Sequence, residues 1–518
     1  MHPKSRALSF KWTVLPYGPG VETVIDILKT FVTLFMCAGC TLVIAEETIR
    51  PNILIILADD LGWNDLGYHG SPIETPNIDR IAHEGIELDR FYAQPSCSPT
   101  RAGLMTGKIP MRLGIYRPLN KSSERGIPLK ERLMPEYLAD LGYQSFMVGK
   151  WHLGHHKRAM LPNQRGFEHF YGSLTGGIGY WNKVHGGGYD WQRNGVTVRE
   201  EGYVTHLLVD EIRTLLENRD ERRPNFMYAA FQAPHLPNEA PEETVAKYEG
   251  ILASHPNPNR LLHAAMVDEL DQAIGEVLSI YEEQGMLQNT VVLFVSDNGG
   301  LVQPGSADTH TLVQRISTTA VKWFDRPIPI PGLEFLAANS FDGGSDNSPL
   351  PGGKTMATEG GVRVPAAIWW PGYLENGVHV SQMTIADVLP TMLDAIGARD
   401  STPVGLDGRS QLNALNGGVS ERPDYAVSAL ISGLSMYRWP WKLIGSEAPQ
   451  LFNVQEDPLE QFDLAATEPD LVAVLTTRLA TWDFAEDPGV PFFEVLVDPD
   501  TFGGEEDGRL PWPETVID

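Results

Sequence analysis

The run Asn52-Ile53-Leu54-Ile55-Ile56-Leu57 is apolar at every position after its first, and two residues later the chain reads Asp59-Asp60. A strand with one wet face alternates apolar and polar residues. A continuous apolar run therefore predicts a strand buried on both faces. Similar runs occur at 145–148, 226–231 and 291–295, with helical periodicity at 133–141, 204–218 and 261–283. Thr75 to Gly85 reads as a shorter helix between a cap and a glycine stop. Buried strands alternating with long helices predict an α/β fold, a mostly parallel sheet sandwiched by helices. In such sheets ligands bind beyond the carboxyl ends of the strands.

After a helical pattern at 385–396 comes a loop-like stretch, Gly397 to Asp407. Shorter strand candidates at 426–431 and 441–444 and a helical run near 471–481 follow. These divide the chain into a main body over 46–414 and a smaller C-terminal α+β domain over 415–518. Its tail from Asp498 is rich in Pro, Gly and acid, and is expected to be loosely ordered. Two inserts interrupt the main body. Residues 176–195 hold seven glycines with Tyr180, Trp181, Tyr189 and Trp191, and 301–351 lacks periodicity.

Residues 1–45 read as a leader. Lys29 precedes an apolar run from Phe31 to Ile44, too short to span a bilayer and shaped like the core of a signal peptide. The basic stretch before it (Lys4, Arg6, Lys11) is long, so the true start is expected further along. Export to a bacterial periplasm or the extracellular space is the expectation. Cys37-Ala38-Gly39-Cys40 leaves lipoprotein processing as the alternative. The third cysteine, Cys97, then has no partner for a disulfide, which suggests a thiol reserved for chemistry. The formal net charge of -27 argues against nucleic acid and anionic membranes as partners. It does not exclude an anionic substrate, because repulsion is screened beyond roughly 10 Å at ~0.1 M salt.

The residues that follow the strand runs carry the chemistry. Asp59, Asp60, Asp297 and Asn298 bring four oxygen-bearing side chains to two strand ends, which suits a hard divalent cation, Ca²⁺ or Mg²⁺. Either pair alone is an ordinary strand-ending turn. Lys150 and His152 are two apart at another strand end and can point to one side. His235 follows the run 226–231, and Lys354 precedes Glu359-Gly360-Gly361. Cys97-Ser98-Pro99-Thr100-Arg101 leads into Leu104-Met105-Thr106-Gly107, a helix with Pro99 in its first turn. Tyr180, Trp181, His185 and Trp191 in the glycine-rich insert form either a platform for sugar rings or a loop packed by its own aromatics. Both readings stay open.

The stretch Cys97 to Gly107 resembles the Cys-x-Pro-x-Arg…Leu-x-Thr-Gly signature of the sulfatases, and Gly142 to Gly154 resembles their second signature. Five motifs occur in family order between Asn52 and Ile396, with a weaker echo at Leu451-Phe452-Asn453 and Glu456-Asp457-Pro458. Lys150 to Gly154, Arg165-Gly166-Phe167 and Glu359-Gly360-Gly361 look most like the arylsulfatases that include N-acetylgalactosamine-4-sulfatase. The enlarged segment between Asn298 and Lys354 departs from the pattern.

The resemblance implies an alkaline-phosphatase-like core, and a maturation enzyme that oxidises Cys97 to formylglycine. It implies one Ca²⁺ held by Asp59, Asp60, Asp297, Asn298 and residue 97. Arg101, Lys150 and Lys354 would supply positive charge, with Asp297 a proton acceptor when a hydrate hydroxyl attacks sulfur. His235, with Lys354, would assist departure of the alcohol, and His152 would deprotonate the second hydroxyl. The implied substrate is a sulfated carbohydrate or aryl sulfate. The alternatives are a phosphonate monoester or phosphodiester hydrolase using the same site, and a catalytically silent carbohydrate-binding protein. A zinc phosphatase would need Ser or Thr at position 97.

Overall fold

The computed structural model describes residues 50–302 and 343–487, apart from 120–122, 186–187, 253–254, 256, 258, 422, 431–432 and 446–447, with an isolated Thr13. The expected leader, the tail from Asp498 and most of the 301–351 insert lie outside the described residues. Among the described residues no helix is long and apolar enough to cross a membrane.

Among the described residues ten strands form the main sheet: β1 (Asn52–Ala58), β2 (Ile86–Leu88), β3 (Gln144–Lys150), β4 (His169–Ser173), β5 (Gln192–Arg193), β6 (Val196–Thr197), β7 (Asn225–Ala230), β8 (Thr290–Ser296), β9 (Ala366–Trp369) and β10 (Gly377–His379). Their order is β10-β2-β9-β8-β1-β7-β3-β4-β5-β6. The central five, β8 to β4, are parallel. Antiparallel strands β9 and β5 flank them on either side.

The alternation of side chains along β1 shows why its sequence tolerates no polar residue. Ile53, Ile55 and Leu57 enter one apolar cluster, with α2 (Cys97–Thr106), α3 (Met134–Asp140) and α8 (Val388–Ala395). Leu54, Ile56 and Ala58 enter the other, with α1 (Pro76–Glu84), α4 (Val204–Glu217), α5 (Glu242–Leu252) and α6 (Arg260–Glu283). Each fully buried Ile or Leu contributes about 1.5–3 kcal/mol, so both faces of the strand stabilise the sandwich. The helices and strands follow the expected spans to within a few residues.

From Arg50 onward the chain forms one compact unit. Its C-terminal part is an antiparallel meander, β11 (Tyr425–Ala429), β12 (Gly433–Arg438), β13 (Trp441–Ile444) and β14 (Gln450–Asn453). One face packs Met436, Leu443 and Leu451 against Leu475 of α9 (Pro469–Ala480). The other face, with Tyr425, Val427, Tyr437, Ile444 and Phe452, joins the core of the main sheet. The expected run 426–431 ends at Ala429, and β12 follows as a strand the apolar pattern did not mark.

Register aligns the carboxyl ends of the central strands: Ala58 pairs with Ser296, Leu57 with Ala230, and Ala230 with Gly149. At Gly149, with φ +105°, a Cβ would overlap the Ala230 carbonyl oxygen, so only glycine lets β3 reach the same height.

On the other side of the sheet, Asp271 of α6 accepts hydrogen bonds from the backbone N–H of Asn77 (3.0 Å) and Ile78 (2.8 Å), capping α1. Burial pushes its carboxyl up to about 6. Between roughly pH 4 and 6 the folded state therefore holds a proton that the unfolded state has lost, and stability falls as pH rises through that window. Urea unfolding from pH 4 to 7 should show this slope in the wild type. Asp271→Asn should flatten it by about 2–3 kcal/mol, and equal slopes would refute the assignment.

Candidate active site

Four adjacent strand ends build the site. Asp59 and Asp60 follow β1, Asp297 and Asn298 follow β8, His235 follows β7, and Lys150 closes β3. All six are buried.

Asp59 is the electrostatic centre. Its Oδ2 is bonded to Lys150 Nζ and lies 3.2 Å from an Arg101 guanidinium nitrogen. Burial alone would raise this carboxyl, but Lys150, His235, Arg101 and Lys354 outweigh it and hold the pKa below the ordinary range. Arg101 also grips Asp297 Oδ2 through two nitrogens, at 2.9 and 3.1 Å, and donates to the Lys150 carbonyl at 2.8 Å. Burial, with the nearby negative charge of Asp59, pushes Asp297 up to about 7.

Cys97 is the first residue of α2, a helix buried along its whole length. Its Sγ lies 3.5 Å from Asp59 Oδ1. Burial and then the Asp59 carboxylate push the thiol up to about 12. At neutral pH it is protonated, and a protonated thiol is a poor nucleophile.

Asp60 adopts a left-handed backbone, φ +66°, which a non-glycine residue keeps only where its surroundings enforce it. The enforcing contacts are its N–H to Asp297 Oδ1 (3.2 Å), its Oδ2 to Lys354 Nζ (2.7 Å) and its Oδ1 to Asn298 Nδ2 (2.8 Å). Asn298 Oδ1 is buried with no hydrogen-bond partner among the described residues. An orphaned carbonyl oxygen beside two carboxylates fits a hard cation with oxygen ligands. Asp59, Asp60, Cys97 and His235 also offer ligand atoms that all lie within 4.8 Å of one another. His235 enters that group where sequence reasoning had Asp297, whose two oxygens are engaged by Arg101 and the Asp60 N–H.

The two histidines have defined tautomers. His152 Nε2 faces the Leu119 carbonyl at 2.7 Å and must carry the hydrogen, leaving a buried Nδ1 with no partner among the described residues. His235 Nδ1 faces the Leu236 carbonyl at 2.7 Å, so its Nε2 looks toward Asp60 Oδ2, 3.7 Å away. Burial and then Lys150 keep His152 well below its ordinary value, and burial and then Lys354 push His235 down to about 4. Both rings are neutral at pH 7. Lys354 stays protonated because the Asp60 carboxylate, with Asp59 behind it, outweighs its burial.

The expected substrate platform divides. Tyr180 is fully buried and its hydroxyl donates to the His235 carbonyl at 2.9 Å, so it supports the site and cannot stack on a ligand. Trp191 is core, donating to the Tyr171 hydroxyl at 3.1 Å and packing edge-on against that ring. Trp181 is half exposed, tilted over Tyr203 at 5.1 Å. His185 lies in a two-residue strand, Val184–His185, and its side chain is outside the described residues.

Sequence reasoning missed three supports. Asp65 gathers the Gly62 and Asp346 N–H groups, His263 and Arg260. Asn347 bonds both Gly300 N–H and Gly300 C=O at 2.9 Å. Gly176 and Gly177 press the insert against the histidines, where a Cβ would lie 2.8 Å from His152 Cε1 and 2.9 Å from His235 Cε1. Only the glycines carried a signal, as part of a glycine-rich run.

Residues 51–398 match the family model described as Sulfatase. N-acetylgalactosamine-6-sulfatase from Homo sapiens is 32% identical over 424 residues, covering 76% of this chain and 72% of its own length. Arylsulfatase J from Mus musculus is 28% identical and covers 84% and 76%. The crystal structure of Ps i-CgsB in complex with k-i-k-neocarrahexaose is 27% identical, covers 89% of this chain and 99% of that one, and has a TM-score of 0.72. With a ten-stranded α/β core and this buried Asp, Cys, Arg, Lys and His cluster at its strand ends, the chain belongs to the sulfatase family.

Proposed function

We propose that this sulfatase removes sulfate from a sulfated carbohydrate, using residue 97 as formylglycine and a bound Ca²⁺. The observation that carries the reading is Cys97 itself, buried beside Asp59 in a setting that keeps the thiol protonated. A residue so placed suits conversion to another nucleophile better than thiolate chemistry.

The charges support the same reading. Asp59, Asp60 and Asp297 are matched by Arg101, Lys150 and Lys354, so a divalent cation would leave the site net positive, as a sulfate ester requires. Asp59, Asp60, Asn298 and residue 97 would hold the ion, with Asp297 or His235 completing the set. Bound Ca²⁺ supplies positive charge against the sulfate oxygens, and formylglycine supplies a hydrated aldehyde with two hydroxyls. The protein's own residues do the rest. Arg101 and Lys150 fix Asp59 beside residue 97. His152 can take a proton only at Nδ1, which suits the deprotonation that ends the cycle. Lys354 holds a proton in the ligand-free site, and the charge of an arriving sulfate opposes the lysine's effect on His235. Either group can then protonate the departing alcohol.

Among the described side chains, half-exposed Trp181 is the remaining candidate for a sugar platform. The relatives named N-acetylgalactosamine-6-sulfatase and the k-i-k-neocarrahexaose in complex with the solved neighbour agree with a carbohydrate substrate. An exported location belongs to the same proposal and rests on the signal-peptide-like apolar run from Phe31 to Ile44 behind Lys29.

Wild type co-expressed with a maturation enzyme should release sulfate from an aryl sulfate and carry an aldehyde on the residue 97 peptide by mass spectrometry. Cys97→Ala should abolish turnover, and undiminished activity would end the proposal. Chelation should cost about 10²–10³-fold in kcat, with Ca²⁺ restoring it; activity indifferent to chelator would remove the metal. Trp181→Ala should lower activity on sulfated oligosaccharides about tenfold, in line with one lost stacking contact, and spare the aryl sulfate. Equal effects on both substrates would rule out stacking.

A further inference from the structure

Lys354 stands on a turn held through backbone hydrogen bonds. Its N–H donates to the Gly300 carbonyl at 3.1 Å, and the next residue, Thr355, donates to the Pro95 carbonyl at 2.7 Å. Behind it runs the short helix α7 (Glu359–Val362), where Gly360 N–H donates to Pro351 C=O at 2.8 Å. Gly361 C=O accepts from Gly299 N–H at 3.0 Å, next to Asn298. These segments touch backbone to backbone here: a Cβ on Gly299 would overlap the Gly360 carbonyl oxygen, and one on Gly353 would come 2.5 Å from that of Gly300. Displacing α7 therefore displaces the turn that aims Lys354 at Asp60.

What holds α7 comes from the C-terminal sheet. The Glu359 side chain is fully buried and accepts from Tyr437 of β12 (2.8 Å), Lys442 of β13 (3.0 Å) and Tyr92 (2.9 Å). Lys442 has no exposure either, and forms a second ion pair with Glu460 at 2.6 Å. Glu460 Oε2 in turn accepts from Glu359 N–H at 2.8 Å. The same sheet reaches the Thr355 carbonyl through Leu430 N–H (3.1 Å). It also reaches Gln94, three residues before Cys97, through the Tyr425 hydroxyl and the Ala426 carbonyl, both at 2.8 Å.

We propose that Glu359, Lys442 and Tyr437 are positioning residues through which the C-terminal sheet sets Lys354 against Asp60. They touch no reacting atom. Their effect on catalysis passes through α7 and the 351–354 turn. Tyr437 and Lys442 lie beyond residue 398, where the family match ends, so the C-terminal meander completes the site from outside that span. The kinetic side of this inference rests on the sulfatase reading; the structural side does not.

A double-mutant cycle separates positioning from general stability. In the wild-type background Glu359→Gln should lower kcat/KM on an aryl sulfate about tenfold, a coupling within the usual range for residues acting through shared contacts. In a Lys354→Ala background the same substitution should change it less than about twofold, because the group it positions is gone. Equal losses in both backgrounds, or no loss in a folded Glu359→Gln protein, would overturn the proposal. Tyr437→Phe, which removes one hydroxyl and leaves the ion pair, provides the same comparison if Glu359→Gln does not fold. Its crystal structure gives a readout independent of turnover. Lys354 Nζ should leave hydrogen-bond distance of Asp60 Oδ2; retention near 2.7 Å would refute positioning even if the chain cleaved no sulfate ester.

Discussion

A guanidinium with no access to solvent survives only where carboxylates and carbonyls satisfy it from several sides, and Arg101 is held by Asp59, Asp297 and the Lys150 carbonyl. Removing either carboxylate would leave a buried charge uncompensated, a loss of about 3–5 kcal/mol. That requirement ties three separate strands, β1, β8 and β3, to one helix. It also explains why the parallel register must be tight. A slip of one residue along β1 would turn Asp59 toward the opposite face of the sheet, and the cluster would lose its centre.

The strain follows the same logic. Asp60 and His152 both sit at positive φ, +66° and +55°, at the points where strands β1 and β3 give way to loops. Such conformations cost on the order of 1–3 kcal/mol each. The core beneath them, apolar on both faces of the sheet, offsets that cost many times over. Rigidity in the sandwich is what allows an unfavourable backbone at its rim.

Much of this was legible in the sequence, and the reason is local. Strands buried on both faces must be apolar throughout, so β1, β3, β7 and β8 announced themselves, and the residues just past their ends had to be the site. Asp59, Asp60, Lys150, His152, His235, Asp297 and Asn298 follow from that rule, whereas Cys97, Arg101 and Lys354 were read from motifs. The failures share a different cause. Tyr180 and Trp191 were read from composition, but their direction depends on what lies behind the insert, namely the His235 carbonyl and Tyr171. Asp65, Asn347 and Glu359 bond to groups far away in the chain, and no periodicity points to such partners. Strand β12 opens on exposed Gly433 and carries Ser435 among its apolar residues, so no continuous apolar run marks it.

Burial of Cys97 sets an order of events. Helix α2 has no residue outside the core, Cys97 is 2% exposed, and the Asp59 carboxylate that adds to burial in keeping the thiol protonated comes from the end of β1. An enzyme that converted this cysteine, as we propose, would need the segment extended and within reach, and a finished fold offers neither. Such a conversion would compete with packing of α2 against the sheet, and a molecule that folded first would be committed to the thiol. The fraction of converted molecules would then be decided kinetically, by how long this one helix stays undocked.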